Sequence, residues 1–390
     1  MQGGTPLSMM RPPGPPVRKP AGWRRQRRLW PILVPAAILG LAIVWSGLWY
    51  YSALVADRTL AGWIAREATD GRIYSCGTES IGGFPFSIQA RCTNAGAEIK
   101  NSQPPVAVKA KAITFTAEVW HPTALVGDVA GPLTFSEPGQ SPNLNADWNR
   151  ARISVRGIPP DPEGVSIELE ATRVDRIEGG KALFQAKHLD LQGRIVGGSP
   201  RERPVIAMTL NLAGFIAPTF HALLAAPVEA EIEAVIRGLN DLAPKPWADR
   251  FREMQAARGG IEIKALRIAQ TDAMVVGTGS LNVNAHGKLD GLVRVAVVGL
   301  EHLVPRLGID RLIGQSVDQL AGGEGALDRL IPGLGGAIRE TANASLIDNL
   351  KKMGEPATIE KQPAIVLPLR FVDGAVYLGM LRIGEVPPLF

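Results

Sequence analysis

The sequence predicts a mainly β (α+β) protein: a large, curved antiparallel sheet with a few packing helices, preceded by one transmembrane helix. Three observations predict it. Apolar and polar residues alternate with period two in segment after segment, which is the signature of half-buried strands. Most gaps between these segments are short and rich in Gly, Pro, Asn or Asp. Parallel pairs need long crossovers, so antiparallel pairing follows. Finally, Leu29 to Ala56 contains no Asp, Glu, Lys, Arg or His. About 20 apolar residues suffice to cross a bilayer.

Residues 1–28 read as a disordered, Pro- and Arg-rich tail, since Pro6, Pro12, Pro13, Pro15, Pro16 and Pro20 leave little to bury. Residues 29–55 form the anchor. Trp30 stands at one end, and Trp45, Trp49, Tyr50 and Tyr51 towards the other, as an interfacial aromatic belt does. A cleaved signal peptide has an apolar core of roughly 7–15 residues, shorter than this one, although Leu54-Val55-Ala56 is a weak cleavage site. Arg11, Arg18, Lys19, Arg24, Arg25, Arg27 and Arg28 precede the span without an acid, which predicts a cytoplasmic N-terminus, an inner (plasma) membrane location and an exported domain over 56–390. Subtracting these seven bases from the net charge of +5 leaves −2 for residues 29–390. The exported part therefore has no basic excess for nucleic acid.

Within that domain, Leu60, Trp63, Ile64 and Ala68 are spaced for a juxtamembrane helix over Asp57–Thr69. Cys76 and Cys92, the only cysteines, predict a disulfide in an oxidising compartment, tying the first strand to the helix beside the anchor. Gly82-Gly83 permits a turn, and Phe84 to Cys92 alternates as a strand. Strands follow at Val106–Trp120, with a bulge near Ala112-Ile113, then Val126–Phe135, Ala151–Val155, Gly164–Val174, Ala182–Ile195, Pro204–Leu212 and Val228–Ile236. Trp120-His121-Pro122 is expected to end its strand. Trp247 to Arg258 has one apolar helical face. Strands resume at Ile261–Ala269, Ala273–His286 and Leu289–Val298. Glu301 to Met353 reads as glycine-broken amphipathic helices that fill or cover the sheet. Ala364–Phe371 and Val376–Ile383 close the chain as a hairpin around Asp373-Gly374.

Chemistry is sparse in this pattern. The histidines His121, His188, His221, His286 and His302 have no metal-ligand spacing, so no metal or cofactor is expected. Gly277-Thr278-Gly279 continues into a strand rather than a helix, unlike a dinucleotide loop. No nucleophile elbow or Walker lysine is present. Asp161-Pro162-Glu163 reads as a solvated turn.

The segment C-x-x-x-x-I-x-G-F-P-F-x-x-x-x-x-C, here Cys76, Ile81, Gly83, Phe84, Pro85, Phe86 and Cys92, resembles the bacterial domain-of-unknown-function family 2125. Trp120-His121-Pro122, Gly131-Pro132-Leu133 and Pro368-Leu369-Arg370-Phe371 support the resemblance. That family carries no assigned activity. Its general shape is similar to that of AsmA-like periplasmic proteins, whose long curved sheets are linked to lipid handling, so the resemblance implies an envelope role.

The functional expectation is a non-enzymatic, membrane-tethered binder of lipid or another apolar envelope ligand. A groove should be lined by Phe84, Phe86, Ile88, Phe115 and residues of Val283 to Val297, without buried charge. One alternative is a scaffold for envelope proteins. The other is an envelope hydrolase using His121 or His188 as base.

Overall fold

The computed structural model describes residues 30–102, 104–157, 162–243, 245–307, 344–345, 347–378 and 381–390. The first element is α1 (Trp30–Thr69), one continuous helix into which the expected span and juxtamembrane helix merge. It is long and apolar enough to cross a membrane. Ile38, Leu41 and Val44 are each more than 60% exposed, so no described residue buries this surface. The hydroxyls of Ser46 and Ser52 donate to the carbonyls of Ala42 and Leu48, so both are satisfied within the helix. Pro35 lies inside the helix and withholds one amide from its i−4 ladder.

The boundary between the chain's two compact units falls after Ala56. Among the described residues, the second unit holds the last turns of α1 and a sheet of eighteen strands. They are β1 (Arg72–Ser75), β2 (Thr78–Gly82), β3 (Ser87–Ile99), β4 (Val106–Glu118), β5 (His121–Ser136), β6 (Leu144–Asp147), β7 (Arg150–Arg156), β8 (Gly164–Arg176) and β9 (Ala182–Ser199). Then come β10 (Glu202–Phe215), β11 (Val228–Arg237), β12 (Gly260–Gln270), β13 (Ala273–Val283), β14 (Leu289–Val298), β15 (Glu355–Ile359), β16 (Gln362–Val372), β17 (Ala375–Leu378) and β18 (Leu381–Glu385). Every pairing between them is antiparallel, and most join neighbours in sequence, the exceptions being β1–β3, β5–β7, β6–β8 and β14–β16. Between β11 and β12 the chain makes α2 (Trp247–Ala256); after β14 it makes α3 (Leu300–Leu307).

Several boundaries differ from the expectation. Phe84-Pro85-Phe86 is a turn rather than a strand: Gly83 sits at φ +97°, Pro85 has no N–H to give, and the Ser87 amide closes back on the Gly83 carbonyl at 3.0 Å. His121 and Pro122 open β5 instead of closing β4, because a proline is tolerated among the first residues of a strand. β13 stops at Val283, since Asn284 caps the following turn by accepting from the amides of His286 and Lys288. Val376–Ile383 divides into β17 and β18. Of the expected Glu301–Met353 helices, residues 308–343 and 346 lie outside the described residues. The rest is α3 and helical residues at 344–345 and 347–353.

Cys76 and Cys92 are bonded, with Cα atoms 5.6 Å apart. The bond joins the β1–β2 connection to β3, not a strand to the helix as expected. The end of α1 is held instead by an ion pair from Arg72 to Glu67 and by Trp63 stacked on Tyr74 at 4.9 Å.

Candidate functional face and its two clefts

Residues paired across an antiparallel ladder share a face of the sheet, so the register can be followed strand by strand. One such row runs Ile81, Ala90, Phe115, Gly127, Ile153, Ile167, Leu191, Leu210, Ile232, Leu266, Gly277, Val295 and Leu367. It crosses thirteen strands without a polar side chain. The neighbouring row on the same face includes Ile88, Ala117, Leu125, Val155, Val165, Gly193, Met208, Ala234 and Ile263. The opposite face is polar: Arg91, Thr114, Asp128, Arg152, Glu168, Asp190, Asn211, Glu231 and Arg267 form one row.

A one-residue slip would turn an entire strand over. β12 avoids this with a bulge. Lys264 and Ala265 occupy the place of one residue, and Ile263 and Leu266 both stay on the apolar face. In β5, Gly127 leaves room for the Phe115 ring, whose Cε1 would lie 2.9 Å from any Cβ built there.

At β13–β16 the apolar face is filled. Val293, Val295, Val297 and Leu367 pack with Leu300 and Val304 of α3 and with Leu350. From β4 to β12 the same rows are mostly half-buried, and Phe115, Leu125 and Val165 are 37–38% exposed. Here the face carries a groove of about 230 Å³ lined by Val165, Ile167, Leu191, Ile195, Ile206, Met208 and Leu242. Leu242 belongs to the loop before α2, and its amide donates to the Pro200 carbonyl at 2.7 Å.

That loop is held by charge. The Arg250 guanidinium, 9% exposed as a residue, donates to the carbonyls of Asp241 and Ala243 and to the carboxylates of Asp241 and Glu253. Lys245 donates to the same two carboxylates at 2.7 and 2.6 Å. The hydrogen bond from Lys245, more than any other cause, holds the Asp241 carboxyl below its usual range. For Glu253 burial pushes upward, but Lys245, the Asn240 amide and Arg250 together outweigh it and lower the value.

A second, polar cleft of about 770 Å³ is lined by residues of β7 to β12. It is lined by Ser154, Ser166, Gln192, Thr209, Arg156, Arg194 and Lys264, with Glu163 and Glu233. The two cavities share Glu163, Gly164, Val165, Gly193, Arg194, Ile195 and Met208 in their walls.

Of the expected groove residues, Ile88, Phe115, Val283 and Val297 do share one face by register and alternation, but they are spread from β3 to β14. Val297 is 4% exposed within the core and Val283 is 8% exposed. Phe84 and Phe86 stand on the β2–β3 turn, each 55% exposed, where Phe86 meets Trp120 at 5.2 Å between centroids. His121 lies 3.8 Å from Glu118 at the β4–β5 turn, and His188 sits on the polar face opposite Glu170. Among the described residues no three His, Cys, Asp or Glu side chains converge to hold a metal ion. Sequence reasoning missed Val165, Leu191, Met208 and Leu242. The alternation in β8–β10 carried the first three, whereas nothing local marks Leu242.

The fold defines a protein built on one long antiparallel sheet, apolar on one side and polar on the other, behind an N-terminal helix of membrane-spanning length. Residues 49–387 match the family described as uncharacterized proteins conserved in bacteria, DUF2125, and the chain belongs to that family. No curated protein matches the chain.

Proposed function

We propose that this chain is an inner-membrane-anchored periplasmic protein that holds a lipid or another apolar envelope ligand on its apolar sheet face, without catalysing a reaction. One observation carries the reading: the apolar rows continue without a charge from the filled core into a region where no described element covers them. Exposed apolar surface of that extent marks an interaction site in a soluble domain. Three further features support the location. The uncharged stretch of α1 suits a bilayer, the bases before it favour a cytoplasmic N-terminus, and a disulfide suits an oxidising compartment. Each methylene moved from water onto the face would contribute about 0.8 kcal/mol.

Lipid mass spectrometry on the full chain, purified in a neutral detergent, tests the proposal. We expect co-purifying lipid that is depleted in Leu191→Asp; no lipid on either protein overturns it. A reporter fused after Phe390 and active only in the cytoplasm would overturn the orientation. A second reading, a scaffold for envelope proteins, is favoured by the exposed Phe86–Trp120 pair on two adjacent turns.

A further inference from the structure

We infer that the polar cleft is a second binding site, one for a phosphorylated saccharide of two or more rings: Arg156 and Arg194 receive the phosphate, and a row of polar side chains receives the sugar hydroxyls. The site lies on the polar face of the sheet and does not depend on the apolar-ligand reading. The strand register builds it. Ser154, Ser166, Gln192 and Thr209 are successive partners across β7 to β10, and Glu233 of β11 continues their row. The row therefore offers one hydrogen-bonding side chain per strand spacing, about 4.8 Å. Two residues along the strands, on the same face, Arg156, Gly164 and Arg194 are partners in turn. Gly164 has no side chain, so an opening remains between the two arginines, which stand about 10 Å apart at the backbone. Ala207 and Val235 continue this second row without a polar side chain.

These groups are available to a ligand. Among the described residues, the hydroxyls of Ser154, Ser166 and Thr209 have no hydrogen-bond partner, neither arginine has an ion-pair partner, and both arginines are exposed. The Gln192 amide donates to Asp190 at 2.8 Å, which leaves its carbonyl oxygen to accept. The third cation of the cleft is engaged: Lys264 donates to Glu262, which also accepts from Arg237 at 2.6 Å. Guanidinium groups bind phosphate through paired, charge-assisted hydrogen bonds. Glu163 also lines the cleft, so the phosphate is received by the arginine pair directly rather than by a general positive potential. Glu233 stands three strand spacings from Gly164, about 14 Å. Its carboxylate accepts from hydroxyls and repels an anion. The cleft thus suits a ligand with a phosphate at one end and hydroxyls at the other. That span exceeds one pyranose ring and matches a phosphorylated disaccharide. The volume of about 770 Å³ is also ample for one, since small-molecule sites run about 300–1,000 Å³.

Isothermal titration calorimetry on the full chain in neutral detergent tests the site with four probes: trehalose 6-phosphate, lactose 1-phosphate, trehalose and inorganic phosphate. At least one sugar phosphate should bind more tightly than trehalose or phosphate alone. Arg156→Gln/Arg194→Gln should bind it at least about 10-fold more weakly, the order expected for losing hydrogen bonds to a charged group. An unchanged denaturant midpoint, expected for two exposed side chains, reports that this variant is folded. Arg156→Lys/Arg194→Lys should keep part of the affinity. Thr209→Val/Glu233→Gln should weaken the sugar phosphate by about 5-fold, as the loss of neutral hydrogen bonds does, and leave inorganic phosphate unaffected. Leu191→Asp, on the opposite face, should leave the sugar phosphate unaffected, so this site and the apolar-ligand reading fail separately. If neither sugar phosphate binds, or the glutamine variant binds as the wild type does, the inference is overturned. Inorganic phosphate bound as tightly as the sugar phosphates would show a site for a free anion and overturn the saccharide.

Discussion

The two parts of the sheet's apolar face use the same residue types in the same register and meet different neighbours. At β13–β16, Val295 and Leu367 lie under α3 and Leu350, and Val304, Leu350 and Leu367 have no exposed surface. At β7–β10, Ile153, Ile167, Leu191 and Leu210 continue the same row and remain half-buried. Alternation reports which way a side chain points, not what stands in front of it. A core and a binding face are therefore written identically within a strand, and only the elements packed on them tell the two apart.

Mutation should separate the two parts most clearly in stability. Leu367→Ala removes a side chain with no exposure and should cost about 3–4 kcal/mol, within the range for buried leucines. Ile167→Ala, on the half-buried part, should cost less than half of that. Denaturant midpoints measure both; equal losses would mean that the second region is also a closed core, and the comparison would collapse.

Next in size is the disulfide, which acts at the anchor end of the sheet, far along the strand order from the filled core. Cys76 and Cys92 are 16 residues apart. Cross-linking a loop of this length stabilises by about 3 kcal/mol on the chain-entropy model. Cys76→Ser/Cys92→Ser should lower the denaturant midpoint accordingly and expose the β1–β3 amides to hydrogen exchange before those of β14 and β16. Simultaneous loss of protection everywhere would show that the two ends do not differ in this way.

The wall of the groove should respond to acid. Arg250→Met would leave Asp241 and Glu253 with one cation between them and should cost about 2 kcal/mol, as breaking a mostly buried ion pair does. The sign of the pH effect follows from the lowered carboxyl values of Asp241 and Glu253. Such groups contribute stability that is present above their unfolded values, near 4, and lost as pH falls through the lower folded ones. Protection of the α2 amides, corrected for intrinsic exchange, should therefore decline below about pH 4, earlier than that of β14. Protection in α2 that rises on acidification would contradict the network.

Much of this architecture was legible in the sequence because period-two alternation survives in single strands: β4, β8, β11 and β14 sit where their patterns put them. The missed parts were those whose signal is not periodic. β1, β2 and β15 have only four or five residues each, too few to establish a period. Phe84 and Phe86 fit the alternation on paper, and the Gly83–Pro85 turn overrides it. Ile88 and Phe115 lie on the apolar face, and Val297 lies on it too but in the core with Leu300, Val304 and Leu350. The groove around Val165, Leu191 and Met208 needs three strands and a distant loop, and no single segment contains it.

The smallest stability effect should be the sharpest discriminator. Val165 is 38% exposed and lines both cavities. Replacing it with Ser removes little buried surface and should change stability by less than about 1 kcal/mol, as substitutions at open positions do. A ligand lying on the groove would bury this position, so the same change should weaken dioctanoylglycerol binding by roughly 5-fold, the loss of one or two methyl contacts. The matching change in the filled region, Val295→Ser, should do the opposite. It buries a hydroxyl among Leu300, Val304 and Leu350, costs about 2 kcal/mol or more in stability, and leaves the probe's affinity unchanged. This crossed pattern requires one region to be a core and the other a surface held ready for an apolar partner. If Val165→Ser altered stability and left binding untouched, the open rows would be structural surface, and the ligand would have to be sought elsewhere on the molecule.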